Sequence, residues 1–138
     1  MKKLKKITFR YIRAAIIDSK NRPVKPVIGF IFQPVSKEVE FMPYYASTEG
    51  RIRKIMGMKI KKFFTSEEDI IPLKYAMGYT GTYIAHGVEH TVIFAIARNT
   101  FEGNIMVMIT MDSTTEVYPE VEQEFYHTLK SLKFTKKN

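Results

Sequence analysis

Apolar positions are densest between Gly78 and Met111, where two runs of β-forming residues, Thr91 to Ala97 and Ile105 to Met111, flank one turn-like stretch. In the first run Val92, Phe94 and Ile96 alternate with Ile93, Ala95 and Ala97. In the second, Ile105, Val107, Ile109 and Met111 alternate with Met106, Met108 and Thr110. A strand with one wet face alternates apolar with polar side chains. Runs that are apolar on both faces therefore predict central strands of a sheet covered on both sides.

Elsewhere the pattern is less uniform. Ile7 to Asp18 fits a strand through Ile7, Phe9 and Tyr11 and a helical stripe through Leu4, Ile7, Tyr11 and Ala14; its β-branched and aromatic content favours the strand. Ser19 to Pro26, with Asn21, Pro23 and Pro26, reads as a turn. Val27 to Gln33 predicts a second strand stopped by Pro34, and Val39 to Tyr44 a third in an antiparallel meander. Ser47 and Thr48 are candidate caps, with Glu49 in the first turn, for a helix running to about Phe64 with a stripe of Ile52, Ile55, Met56, Ile60 and Phe63. Gly50 and Gly57 fall inside it, each lowering its intrinsic stability by about 1 kcal/mol relative to alanine.

Thr65 and Ser66 ahead of Glu67, Glu68 and Asp69 predict a helical turn before Pro72. Leu73 to Tyr83 predicts a strand bent or bulged at Gly78 and Gly81. Asn99 to Asn104, with Gly103, joins the two central strands, and Asp112 to Thr115 forms the next turn. A last helix begins near Pro119 and turns Val121, Phe125, Thr128, Leu129 and Leu132 to the core. Glu116, Glu120 and Glu122 lie at its N-terminal end and Lys130 and Lys133 at its C-terminal end, as the helix dipole favours. Three strands, a helix, about three more strands and a helix, without sustained βαβ alternation, predict an α+β fold with a mainly antiparallel sheet and helices packed on it.

The segment from about Gly81 to Phe134, in which paired strands pass through a turn into an amphipathic helix closing on Ser131-Leu132-Lys133-Phe134, resembles the end of the Mog1/PsbP-like group. The resemblance implies an α/β/α sandwich and a protein that acts in binding or assembly. The basic N-terminal half carries no recognised feature of that group, and the resemblance assigns no functional residue.

At 138 residues and 45% hydrophobic, the chain is long enough for one domain spanning 1–138 with a real core. The absence of cysteine excludes disulfides, thiolate metal sites and cysteine nucleophiles. Arg10 and Arg13 interrupt the apolar stretch that would follow basic Met1 to Lys6, leaving Ala14 to Ile17, too short for an export signal. The expectation is a cytoplasmic protein. Its net charge of +8 is asymmetric: residues 1–63 carry 16 Lys/Arg and 4 Asp/Glu, or +12, and residues 64–138 carry 6 and 10, or −4. Either the halves pack together and partly neutralise, or the basic half meets an anionic partner.

On the helix expected over residues 47–64, Arg51, Lys54, Lys61 and Lys62 fall opposite the apolar stripe and are the candidate anion-binding residues. Nucleic acid or an anionic phospholipid surface would be their partner; the leading expectation is a non-catalytic module with a protein partner. His86-Gly87-Val88-Glu89-His90 matches the H-x-x-E-H pattern of inverted zinc peptidases. That chemistry needs a helix to aim both histidines at one metal, whereas Gly87 and the surrounding β-formers point to a strand or turn, so a metal-dependent hydrolase ranks third, after the protein-binding module and the binder of anionic surfaces. His127 is off the last helix's apolar stripe and reads as a surface residue. Gly78-Tyr79-Thr80-Gly81 has the form of the clamp of KH domains but lies in β-prone sequence instead of between helices. Met106, Met108 and Met111 read as core. With no phosphate-binding glycine loop, nucleophile elbow or recognisable carboxylate pair, no catalytic residue, metal ligand or cofactor is assigned.

Overall fold

A computed structural model describes residues 6–65, 71–99 and 104–133. In chain order they form β1 (Ile7–Ile12), β2 (Ile16–Ile17), β3 (Pro23–Val24), β4 (Val27–Pro34), α1 (Phe41–Met56), β5 (Lys59–Thr65), β6 (Ala76–Ala85), β7 (Val88–Asn99), β8 (Ile105–Thr114) and α2 (Tyr118–Lys130). Among the described residues six strands make one antiparallel sheet in the order β1-β4-β8-β7-β6-β5, and β2 pairs with β3 in a separate ladder.

The doubly apolar runs are the adjacent strands β7 and β8, with Phe94 opposite Thr110 and Ile96 opposite Met108. On one face Ile93, Ala95, Ala97, Val107, Ile109 and Met111 pack with Tyr118, Val121, Phe125 and Leu129 of α2. On the other, Val92, Phe94, Ile96 and Met106 pack with Phe41 and Tyr45 of α1. None of these ten strand residues is more than 3% exposed. One helix on each face makes an α/β/α sandwich, the arrangement that lets both faces of a strand be dry. Partly buried Leu132 extends the α2 stripe, and His127 is exposed.

The first helix differs from the sequence expectation at both ends. Val39 to Tyr44 is not a strand: α1 starts at Phe41, with Glu40 as its N-cap residue, and Pro43 sits in the first turn, where no intrahelical N–H bond is lost. Its buried face is Phe41, Tyr45, Thr48 and Glu49, so Ser47 and Thr48 lie inside the helix and do not cap it. Gly57 is its stop, in the left-handed region at φ 64° with its N–H returning to the Arg53 and Lys54 carbonyls. Residues 59–64, expected as the end of that helix, belong instead to β5. The apolar stripe dissolves accordingly, and Ile55 is 75% exposed.

β5 pairs with β6 through a register shift at Lys61, opposite Gly81 and Thr80. The irregularity expected in β6 therefore lies in its partner. Gly78 is required by a close approach: a Cβ there would stand 2.1 Å from the Phe94 carbonyl oxygen and 2.7 Å from Phe64 Cζ. Asp112 to Thr114, expected as a turn, continue β8, and the turn follows at residues 115–117. The expected helical turn at Ser66 to Asp69, Gly103 of the central connection and Phe134 of the tail lie outside the described residues.

Phe125, 2% exposed at the centre of the α2 contact, dominates that face. Phe125→Ala is expected to destabilise the fold by about 3–5 kcal/mol in denaturant titration.

Candidate functional site

α1 covers only one end of its sheet face. Met106 and Ile96 lie in its cluster, whereas His90 near the start of β7 and Asp112 near the end of β8 border an open cleft of about 650 Å³. That volume is in the range of ligand pockets. The row Arg10–Gly29–Thr110 crosses the cleft through the β1–β4 and β4–β8 pairings. Gly29 keeps this floor low, since a Cβ there would stand 3.0 Å from Thr110 Oγ1. Val24, Val27, Ile31, Ala85 and Val88 supply apolar walls.

Cross-strand register assembles a polar cluster at the inner wall. Tyr83 of β6 is directly opposite His90 of β7, and their rings stack at 5.1 Å. Asp112 is opposite Val92, one row further in, and reaches diagonally to both rings. Its Oδ1 lies 2.7 Å from His90 Nδ1, and its Oδ2 accepts the Tyr83 hydroxyl. A carboxylate only accepts, so the His90 Nδ1 carries the proton and Nε2 is the ring nitrogen left for other partners. Burial and then the neighbouring carboxylate raise the Tyr83 phenol well above its ordinary 10.0, which keeps it a neutral donor.

The opposite rim comes from the turn between β2 and β3. Asp18 accepts the backbone N–H groups of Lys20 and Arg22 and the Arg22 Nε, each at 2.9 Å. Led by the Arg22 N–H, these contacts hold its carboxyl below the usual range against the opposing effect of desolvation. Asn21 takes φ 61° in this turn, a conformation asparagine tolerates. The turn is tied down by Glu116, which accepts the Ser19 N–H and hydroxyl, while bidentate Arg13–Glu124 contacts at 2.9 and 3.0 Å fix the chain after β1 to α2. Arg22 is thereby held at the cleft, which Lys25 of the β3–β4 connection and Arg10 of β1 also border. Among the described residues Arg10 and Lys25 form no ion pair.

The residues singled out in the sequence are distributed differently. Arg51 and Lys54 are on α1, and Lys61 and Lys62 on edge strand β5; all four are exposed, but they do not share one helix face. His86-Gly87 is a two-residue hairpin turn, both residues at positive φ (50° and 77°), between the closing pair Ala85 and Val88. Its H-x-x-E-H pattern is thus not helical, and His86 and His90 instead border the cleft. Gly78 to Gly81 lie within β6, not in an interhelical clamp. Met106 and Met111 are buried in opposite faces of β8, and Met108 is partly buried. Of the four ion pairs among the described residues, only Arg13–Glu124 joins the basic and acidic halves. Tyr83, Asp112 and the Arg10–Arg22–Lys25 grouping went unrecognised in the sequence, because register brings them together.

Fold and cleft define an α/β/α sandwich with an apolar-walled cleft bordered by three cations and two carboxylates. No family model and no curated protein matches the sequence. Solved structures match the fold. PA94 of Pseudomonas aeruginosa, a protein of unknown function suggested to be a regulator, aligns over 99% of this chain and 88% of its own, with TM-score 0.72 and 12% identity. LpqN of Mycobacterium tuberculosis, involved in cell envelope biogenesis, aligns over 91% and 87%, with TM-score 0.60 and 11% identity. At these identities the likeness is one of fold. Among the described residues no helix is long and apolar enough to cross a membrane.

Tyr45 of α1 and Tyr79 of β6 beneath it have buried hydroxyls with no protein partner among the described residues. Burial, then nearby Glu49, pushes the Tyr79 phenol up to about 12 and raises Tyr45 further. Folded values above the unfolded 10.0 mean that stability is fully present below pH 10 and falls as pH rises toward and through the folded values. The difference in phenol absorbance between the parent and Tyr79→Phe should show Tyr79 ionising near pH 12 in the folded protein, above the ordinary 10.0. Tyr79→Phe should reduce the alkaline loss, by up to about 1.4 kcal/mol per pH unit across this window.

Proposed function

We propose that this protein is a non-catalytic binding module that receives anionic side chains of a protein partner in the cleft bordered by Arg10, Arg22 and Lys25. Three cations border this apolar-walled cleft, while its two carboxylates are already engaged, Asp18 by Arg22 and Asp112 by His90 and Tyr83; that surplus of cations carries the reading. Arg22 is oriented by Asp18, while Arg10 and Lys25 remain for a partner, and long side chains of this kind combine an apolar stem with a charged head. The His90 imidazole is held by Asp112 at the inner wall, facing the same cleft as the three cations. The fold likeness to PA94 and LpqN, together with the Ser131 to Lys133 part of the tail, supports placement in the Mog1/PsbP-like group, whose members mostly act in binding or assembly.

A labelled polyglutamate peptide tests the reading by fluorescence anisotropy. Binding should weaken with added salt and fall about tenfold in Arg10→Glu/Lys25→Glu, with little change in Lys54→Glu/Lys61→Glu. Loss in the second variant but not the first would return the site to α1 and β5. Tighter binding of duplex DNA than of polyglutamate, lost in the first variant, would instead assign the cleft to nucleic acid.

A further inference from the structure

We infer that the outer edge of β1 is a docking edge, at which a partner segment alternating acidic and apolar side chains adds as a further strand of the sheet. This rests on the reading of the cleft as a protein-binding site and specifies how the partner enters it.

The two sheet edges are built differently. β5 carries Lys59, Lys61 and Lys62 and breaks register at Lys61. Lysines and a bulge are the devices by which proteins prevent further pairing at an edge. β1 has neither. Its six residues run in unbroken register with β4, every one is exposed, and Arg10 is its one charge. Ile7, Phe9 and Tyr11 are 55%, 60% and 61% exposed, an unusual expanse for an edge left to solvent. Among the described residues no strand pairs with the outer side of β1, so its outward backbone groups are available as a template.

The two faces of β1 specify the occupant. Ile7 and Phe9 lie opposite Phe32 and Phe30 on the α2 side, where the Phe9 and Phe32 rings meet edge-on at 5.8 Å. Thr8 and Arg10 face the cleft, near Arg22 and Lys25. A strand added alongside β1 therefore sets alternate side chains beside an apolar strip and beside a cationic cleft. Apolar residues match the first and carboxylates the second. A second copy fits worse, because each chain carries a net charge of +8 and would set the Arg10 of its own β1 beside the cleft cations where carboxylates are matched.

The probe is a synthetic peptide alternating glutamate with valine, compared with a scrambled peptide of the same composition. Amide hydrogen exchange of the whole protein should slow about tenfold or more in β1 with the alternating peptide, and not in β5. Methylating the peptide nitrogens along one edge, or the exposed-site change Phe9→Glu, should weaken binding about tenfold. Equal binding of both peptides without β1 protection, lost in Arg10→Glu, would overturn strand addition while leaving the cleft as an anion site. Failure of polyglutamate and both peptides to bind would overturn both readings. Protection of β1 that grows with protein concentration alone, with a dimer in sedimentation, would give the edge to a second copy and overturn the inference.

Discussion

Burial of β7 and β8 on both faces is the constraint on which the rest of this molecule depends. A strand pair with Ile93, Ala95 and Ile109 on one side and Phe94, Ile96 and Met106 on the other is stable in water only beneath two layers. α2 supplies one layer and α1 the other. Gly78 of the neighbouring β6 permits the close approach of Phe64 and of the Phe94 carbonyl that completes the packing. From this dry centre the sheet runs outward to two edges, the lysine-bearing β5 and the apolar β1.

The partial reach of α1 links fold to site. The helix packs against Phe94 through Tyr45, leaving Gly29 of β4, Thr110 of β8 and His90 of β7 to border the open cleft. There Asp112 joins Tyr83 and His90, a polar cluster held by cross-strand register. The turn bearing Arg22 is anchored through Glu116 near the start of α2, so an element belonging to the opposite layer helps position the cationic rim. Cleft and β1 edge share Arg10, which is why one partner segment is proposed to use both.

The sequence made the centre legible because its signal is the period itself: two faces of uninterrupted apolar residues mark β7 and β8, and the 3.6-residue stripe of Val121, Phe125 and Leu129 marks α2. Around Phe41 to Thr65 periodicity misled. Phe41, Tyr44 and Tyr45 have β-forming side chains yet build the first turns of α1, where tertiary packing prevails over propensity. The following helical spacing hid the stop at Gly57, a position whose left-handed backbone, not its cost inside a helix, explains the residue. Misplacing that stop created a four-cation helix face from residues that α1 and β5 share out. The cleft was illegible for a different reason: Tyr83, His90 and Asp112 meet through a diagonal of strand pairings, which residue types alone do not specify.

A dry centre and an open β1 edge imply a gradient of local stability across one sheet. Native-state amide hydrogen exchange of the free protein measures it directly. Amides of β7 and β8 should exchange only through global unfolding, with hydrogen-bonded β1 amides exchanging about a hundredfold or more faster through local opening. Protection of β1 equal to that of β7 and β8 would contradict an edge held open for another strand.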